Sequence, residues 1–236
     1  MNGLVKILLL CIFCVTTALA AEKPTVKSVH APADVPLTTD PTSSFWRAGG
    51  VAHLEKDTQG KDVPNFHTEV RMRWTKDNLY FLFICPYDEL YLKPSPNAMQ
   101  ETYELWNWDV AEVFISSNFT DIKRYQEFEV SPQGEWVDLD IDLNKPHHET
   151  GWKWNSGFEK TASIDASTHH WYAAMRIPLP SIDQRSAKAG NIFRMNLFLS
   201  EGQPSKHHEV TWQPPMHNTF HTPERFGLLK LVDEKK

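Results

Sequence analysis

Hydrophobic and polar positions alternate with a period of two through much of the chain. Val70-Arg71-Met72-Arg73-Trp74 sets apolar against charged residues, Lys76-Asp77-Asn78 supplies a turn, and Leu79 to Ile84 is almost continuously apolar. The alternation predicts a half-buried strand, the run a deeply buried one, and the turn joins them as a hairpin. Similar short segments, rich in aromatic and β-branched residues, recur at Val110–Ile115, Tyr125–Val130, Trp136–Ile141, Phe158–Ile164, Trp171–Ile177, Phe193–Leu199 and Phe226–Leu231. Turn residues such as Ser131-Pro132-Gln133-Gly134 and Ala189-Gly190-Asn191 separate most of them. Eight or more strands with little helix predict an all-β protein, an antiparallel β-sandwich of jelly-roll type. One or two helical turns are expected over Leu179–Ala187, after Pro178-Leu179-Pro180, covering one sandwich end.

The N-terminal segment is of a different kind. Lys6, an apolar run from Ile7 to Val15 and the small-x-small site Ala18-Leu19-Ala20 read residues 1–20 as a signal peptide. The run is too short to span a bilayer, which needs about 20 residues, and no later stretch approaches that length. Residues 21–38, rich in Pro, Ala and Thr and without periodicity, read as an extended N-terminal arm rather than a packed element. Residues 39–236 then form one domain. Of the three cysteines only Cys85 lies outside the leader, so no internal disulfide is expected. Export with so few cysteines suits a bacterial periplasm or exterior, and Asn118-Phe119-Thr120 is read as a chance sequon.

Charge narrows the ligand. Lys and Arg number 24 against 30 Asp and Glu, a net charge of -6 at pH 7, with no clustered basic run. That balance argues against nucleic acid and anionic membrane surfaces and leaves neutral ligands open.

Tryptophan, nine in all, is the informative excess. Trp74, Trp136, Trp171 and Trp212 lie in or beside strand patterns and are expected in the core. Trp106 and Trp108 instead sit in the polar, turn-like Glu104-Leu105-Trp106-Asn107-Trp108-Asp109. A loop aromatic beside carboxylates and amides suits sugar recognition, the ring stacking on a pyranose C–H face while polar groups take its hydroxyls. Carboxylates form a second group: Asp109 and Glu112 bracket one strand start, Glu127 and Glu129 alternate on another, and Asp138, Asp140 and Asp142 share a third strand's face, expected to be solvated. Paired carboxylates can act as glycosidase acid and nucleophile or gather oxygens around calcium. The eleven histidines include the pairs His147-His148, His169-His170 and His207-His208, with His217 and His221 near the end; all are expected on exposed turns. Cys85 closes an apolar run and reads as an inert buried thiol.

In order along the chain, Leu79-Tyr80-Phe81-Leu82-Phe83, Trp106-Asn107-Trp108-Asp109-Val110-Ala111-Glu112-Val113-Phe114-Ile115, Tyr125 to Gly134, Ile177-Pro178-Leu179 and Pro223-Glu224-Arg225-Phe226-Gly227 resemble the blocks of family 9 carbohydrate-binding modules. The resemblance spans about Thr39 to Val232. It implies a β-sandwich that binds carbohydrate, often in company with polysaccharide hydrolases, with bound calcium in a structural role. It also implies two aromatic rings clasping a terminal sugar, here Trp106 and Phe220, the second smaller than the usual Trp. Asp109 and Glu112 complete the first block, Glu112 accepting from sugar hydroxyls, and Asn218 would supply an amide. Glu129 stands where better-known members carry a basic residue, a departure that bears on the ligand.

The leading expectation is therefore an exported, non-catalytic carbohydrate-binding monomer with no catalytic residues, using Trp106, Phe220, Glu112, Asp109, Glu129, Asn218 and Trp108. Any hydrolase it serves would be a separate chain. Two other readings stand beside it: a haem-binding electron-transfer sandwich with axial ligands from Met99, Met216 and His217, and a glycoside hydrolase using Glu112 and Glu129.

Overall fold

The hairpin read from the alternation is the centre of one sheet. Strand β3 (Thr68–Trp74) turns through Thr75–Asp77 into β4 (Asn78–Pro86). The Thr75 N–H donates to the Asn78 carbonyl at 2.9 Å, and the Thr75 hydroxyl oxygen accepts from the Asp77 and Asn78 N–H groups. This computed structural model describes residues 22–234, so the expected signal peptide, residues 1–20, lies outside the described residues. Strands β5 (Val110–Ser116), β6 (Arg124–Val130), β7 (Trp136–Asp142), β8 (Glu159–Asp165), β9 (His170–Pro178), β10 (Ile192–Glu201) and β12 (Gly227–Val232) fall where the pattern placed them. Three more complete the fold: β1 (Thr25–His30), β2 (Gly50–Leu54) and the short β11 (His208–Thr211).

The strands make two leaves. One runs β7-β6-β5-β10, with β12 and β11 pairing in turn along the far edge of β10; the other runs β8-β9-β4-β3, with β2 and β1 in turn along β3. Pairing is antiparallel except at the seam, where β1 runs parallel to both β12 and β3 and joins the leaves. A bridge between Lys56 and Thr211 joins them again. The result is the expected all-β sandwich, closed along one side. It corrects the reading of residues 21–38 as an unpacked arm, because Thr25–His30 is a paired strand. Beyond it, Asp34 accepts from Thr75, Asn78 and Tyr80, and the Thr38 carbonyl accepts from the indole of Trp46 on α1 (Ser44–Arg47). Leu179–Ala187 contains one helical turn, Leu179–Ser181, and Leu179 and Ile182 plug the sandwich end as expected.

Inward-facing alternate residues fill the space between the leaves. Met72, Trp74, Phe81, Phe83, Trp171 and Met175 from one leaf meet Val113, Ile115, Phe128, Leu197 and Leu199 from the other. Each such side chain contributes about 1.5–3 kcal/mol on burial. Trp74 and Trp171 belong to this core, and Trp136 and Trp212 pack against it half-buried, as expected. Cys85 lies there too, with no exposed surface, and burial pushes its thiol pKa up, as an inert thiol requires.

One feature of the first leaf prepares the site. Every residue of β5 is buried, on both its faces. The inner face meets the core, and the outer face carries a second apolar cluster that includes Leu105, Val110, Phe114, Tyr125, Leu139, Ile141, Phe198 and Phe226.

Candidate functional site

Above that second cluster the loops leave a cavity of about 330 Å³. Three segments build its walls. Glu104 adopts a left-handed conformation (φ 61°) and starts a single turn, Leu105–Asn107, whose Leu105 is buried in the cluster below. That anchor presents Trp106 to the cavity. Asp109, buried at the end of the same stretch, accepts from the N–H groups of Tyr91 and Gly202, both at 2.7 Å. Burial raises its carboxyl to about 6 against these two bonds. It ties the loop before β5 to the end of β10 and does not line the cavity. Trp108 stacks on Tyr91, centroids 4.6 Å apart, and also stands off the lining.

On the opposite wall the segment after β11 carries Thr219, Phe220 and His221. Phe220 stacks flat on Phe198 of β10. Asn218, next to this wall, is exposed and not part of the lining. His221 Nδ1 lies 2.5 Å from the Tyr125 hydroxyl, and burial holds the imidazole down to about 4, so it is neutral and accepts from the phenol. The third wall is the turn segment His148–Lys153, entered through left-handed His147 (φ 61°). It brings His148, edge-on to His221 at 4.4 Å, together with Glu149 and Trp152. Gly151 fixes this segment to β7, for a Cβ there would sit 2.3 Å from the Asp140 carbonyl oxygen.

The floor is acidic. Register places Glu112 of β5 between Phe198 of β10 and Glu129 of β6, and Glu127 lies two residues along β6 on the same face. Glu112 and Glu127 line the cavity at 2% and 3% exposure, and Glu129 is wholly buried behind them. Their nearest carboxylate oxygens lie within 4.8 Å of one another. Burial and mutual repulsion push Glu112 and Glu129 well above the usual carboxylate range, and burial takes Glu127 to about 7. Ser200 donates to Glu112 at 3.4 Å, and Glu209 completes the acidic lining.

The structure thus brings together Trp106, Phe220 and Glu112, with Glu129 immediately behind, and keeps Asp109, Trp108 and Asn218 off the lining. It adds Glu127, Glu209, His148 and His221. The expectation of exposed turn histidines holds for His147, His169, His207 and His217 but fails for His148 and His221, which wall the cavity, for His170, half-buried at the start of β9, and for His208, half-buried against Phe66. The solvated face expected of β7 is also corrected: Asp138 is fully buried and accepts from the Ser156 N–H, while only Asp140 and Asp142 face outward, paired with Gln126 and with Arg124 and Lys145.

The two competing readings lose their geometry. Met99 is 92% exposed on a loop beside Lys160 and Gly134, whereas Met216 is exposed with His217 near Thr58 and Gly60, and the space between the leaves is filled by side chains. The three candidate haem ligands do not converge. Glu112 and Glu129 stand directly opposite each other on adjacent strands and project to the same side, and Glu129 has no exposed surface from which to reach a glycosidic bond.

The sequence profile of the family described as "Carbohydrate family 9 binding domain-like" matches residues 42–234. The chain belongs to that family. Solved structures agree on the fold of this family 9 domain. It matches a family 9 carbohydrate-binding module of Caldicellulosiruptor kristjanssonii, solved in complex with cellotriose, at a TM-score of 0.62 and 13% identity, over 90% of this chain and 96% of that one. The same organism's module in complex with glucose gives 0.61 and 14%, over 89% and 97%. A protein of Bacteroides uniformis gives 0.68 and 15%, over 89% and 100%. In sequence the family 9 domain is 24% identical over 199 residues to a protein of Arthroderma benhamiae named "Extracellular protein", covering 79% of this chain and 87% of that one.

Family 9 resemblance also implies structural calcium, and the acidic floor is the group of His, Cys, Asp and Glu donors that gathers closely among the described residues. Calcium takes six to eight oxygens from side chains, carbonyls and water. Glu112, Glu127 and Glu129 have Phe198, Val137, Phe114 and Leu139 as cross-strand neighbours, and the strand carbonyls face each other in the sheet. This donor set does not fit a structural calcium. Of the described residues, no helix is long and apolar enough to cross a membrane.

Proposed function

We propose that this family 9 domain is an exported, non-catalytic carbohydrate-binding protein that holds a sugar ring between Trp106 and Phe220. The observation that carries the reading is the convergence of these two aromatic side chains, distant in sequence, on one cavity with a carboxyl floor. Aromatic faces meet the C–H faces of a pyranose, and a few polar groups fix its orientation by its hydroxyls. Glu112 serves as the polar group at the floor, and Asn218, on the rim, offers an amide to the part of the sugar that projects from the cavity. Asp109 and Trp108 act at one remove, by holding the turn that bears Trp106. Support from relatives is the family itself and the complexes of its structural neighbours with cellotriose and glucose.

Export rests on the leader-like residues 1–20 and on the name of the Arthroderma relative. The protein works in a bacterial periplasm or outside the cell, as a monomer, beside a polysaccharide hydrolase on a separate chain.

Isothermal titration against a panel of neutral and charged oligosaccharides tests the reading. Saccharide binding that Trp106→Ala abolishes, with the fold intact by circular dichroism, is the expected result. Saccharide binding unchanged in that variant, or no binding to any sugar of a broad panel, overturns it.

A further inference from the structure

We infer that the sugar this cavity takes carries a protonated amine, seated on Glu112, Glu127 and Glu129; the inference rests on the carbohydrate-binding reading and names the class of sugar.

The first observation is a charge imbalance. Glu112, Glu127, Glu149 and Glu209 line the cavity, and no Lys or Arg does. Arg194, on the same face of β10 two rows away, donates instead to the carbonyls of Asn118 and Arg124. His221 is held neutral by burial, which leaves it no charge to offset the carboxylates. A neutral pyranose brings hydroxyl donors but no charge to offset these carboxyls.

The second observation is independent of that count. No donor from the rest of the protein reaches either carboxyl oxygen of wholly buried Glu129 or one of Glu127, and these two carboxyls hydrogen-bond only to each other. Buried polar groups are almost always satisfied, and a buried carboxylate without a partner is costly. These orphan oxygens point to a donor that arrives with the ligand.

The spacing admits an ammonium, and the donor count favours it over a metal. An alkylammonium has three N–H donors, and charge-assisted bonds of about 2.8 Å set tetrahedrally place the acceptor oxygens about 4.6 Å apart. The three carboxylates lie within 4.8 Å of one another. Calcium would need more oxygens than the cross-strand neighbours supply. Trp106 and Phe220 add ring faces that attract a cation as well as stack on the sugar.

Protonation follows from the same arrangement. Facing the floor are Glu209 from β11, Glu149 and His148 from the turn segment, His221 and, through it, Tyr125, and Ser200 from β10. None is a fixed cation. Without a ligand Glu112 and Glu129 keep protons at neutral pH, since burial and repulsion push them up, and Glu127, raised by burial to about 7, is about half protonated there. An ammonium that settles among them displaces those protons.

The experiment is isothermal titration of the protein at pH 7 with the β-1,4-linked disaccharide of glucosamine, its N-acetylated counterpart and cellobiose, each in two buffers of different ionisation heat. The amine disaccharide is expected to bind about ten-fold more tightly than either neutral sugar and to release protons. Glu129→Gln, checked for its fold by circular dichroism, is expected to bring the amine-over-neutral ratio to about one, and Glu127→Gln serves if that variant does not fold. Equal affinity for cellobiose and the amine sugar overturns the inference and leaves the carbohydrate reading standing. No sugar bound by the folded protein overturns both. Tighter amine binding without proton release, or with the ratio unchanged in a folded Glu→Gln variant, is general attraction to an acidic surface and overturns the inference. So does saturable calcium binding that Glu129→Gln removes while the amine sugar stays unbound.

Discussion

Phe220 lies flat against Phe198, ring centroids 4.1 Å apart and planes 5° from parallel. One face of the Phe220 ring is therefore taken up by the sheet beneath, while its own residue lines the cavity. The stack presets the ring before any ligand arrives, which lowers the ordering cost of binding. Phe198 is wholly buried and does not touch the cavity, so the two rings divide support from contact.

That division predicts different outcomes for the two truncations. Phe220→Ala should weaken sugar binding about ten-fold while moving the melting temperature little, since an aromatic contact is worth about 0.5–1.5 kcal/mol beyond its area. Phe198→Ala should cost about 3–5 kcal/mol of stability, the usual range for a buried Phe, and should weaken binding as well by releasing Phe220. Titration calorimetry with thermal melts separates the two patterns.

Gly151→Ala is expected to disturb the cavity from behind. An added Cβ would meet the Asp140 backbone oxygen at 2.3 Å, a contact that only displacement of the His148–Lys153 segment relieves. His148, Glu149 and Trp152 ride on that segment, so sugar affinity should fall several-fold even though the intersheet core is untouched. Retained affinity would show that this wall is not used.

The buried carboxyls make stability depend on pH in an unusual direction. Glu127 is raised to about 7, and Glu201, buried near Asp109, to about 8. A carboxyl whose folded pKa exceeds its unfolded value binds more protons when folded, so its stabilisation is whole below about pH 4.3 and is lost as pH climbs to the folded pKa. His221, depressed to about 4, opposes this only below about pH 6.5, where the unfolded chain takes up a proton that the folded one refuses. Between pH 6.5 and pH 8 the carboxyls act unopposed. Scanning calorimetry of the ligand-free protein should show a melting temperature that falls by about 3 °C or more across that window.

How much of this was legible in the sequence depends on what carries the information. Strands with one apolar face announce themselves by period two and fully buried ones by a short apolar run, and β3 to β10 and β12 showed one or the other. Strand β1 buries little but Ser28 and is held by backbone pairing, so Thr25–His30 has no apolar stripe to read. Four-residue β11 is too short to show a period. Trp106, Phe220 and Glu112 were reachable through the resemblance, because their spacing from neighbouring motifs is local. Register was not: only the pairing of β5 with β6 places Glu112 against Glu129, and only the overlying loops turn Glu127 from a surface carboxylate into a buried one. His148 and His221 looked like turn residues because they are, and the packing of one turn on another is what brings them into the cavity wall.

Asp109 provides the last contrast, between a residue that positions and one that touches. Its two oxygens each accept a backbone N–H, from Tyr91 and from Gly202, at 2.7 Å. Asp109→Asn exchanges one acceptor for an NH2 donor facing an N–H, and leaves a buried amide without its partner. Such a loss costs about 1–3 kcal/mol. Because the same bonds hold the turn that presents Trp106, the variant should lose stability and sugar affinity together, whereas Trp106→Ala, a half-buried ring at the rim, should lose affinity with little change in stability. Binding lost in Asp109→Asn at unchanged melting temperature would instead mark Asp109 as a direct ligand of the sugar.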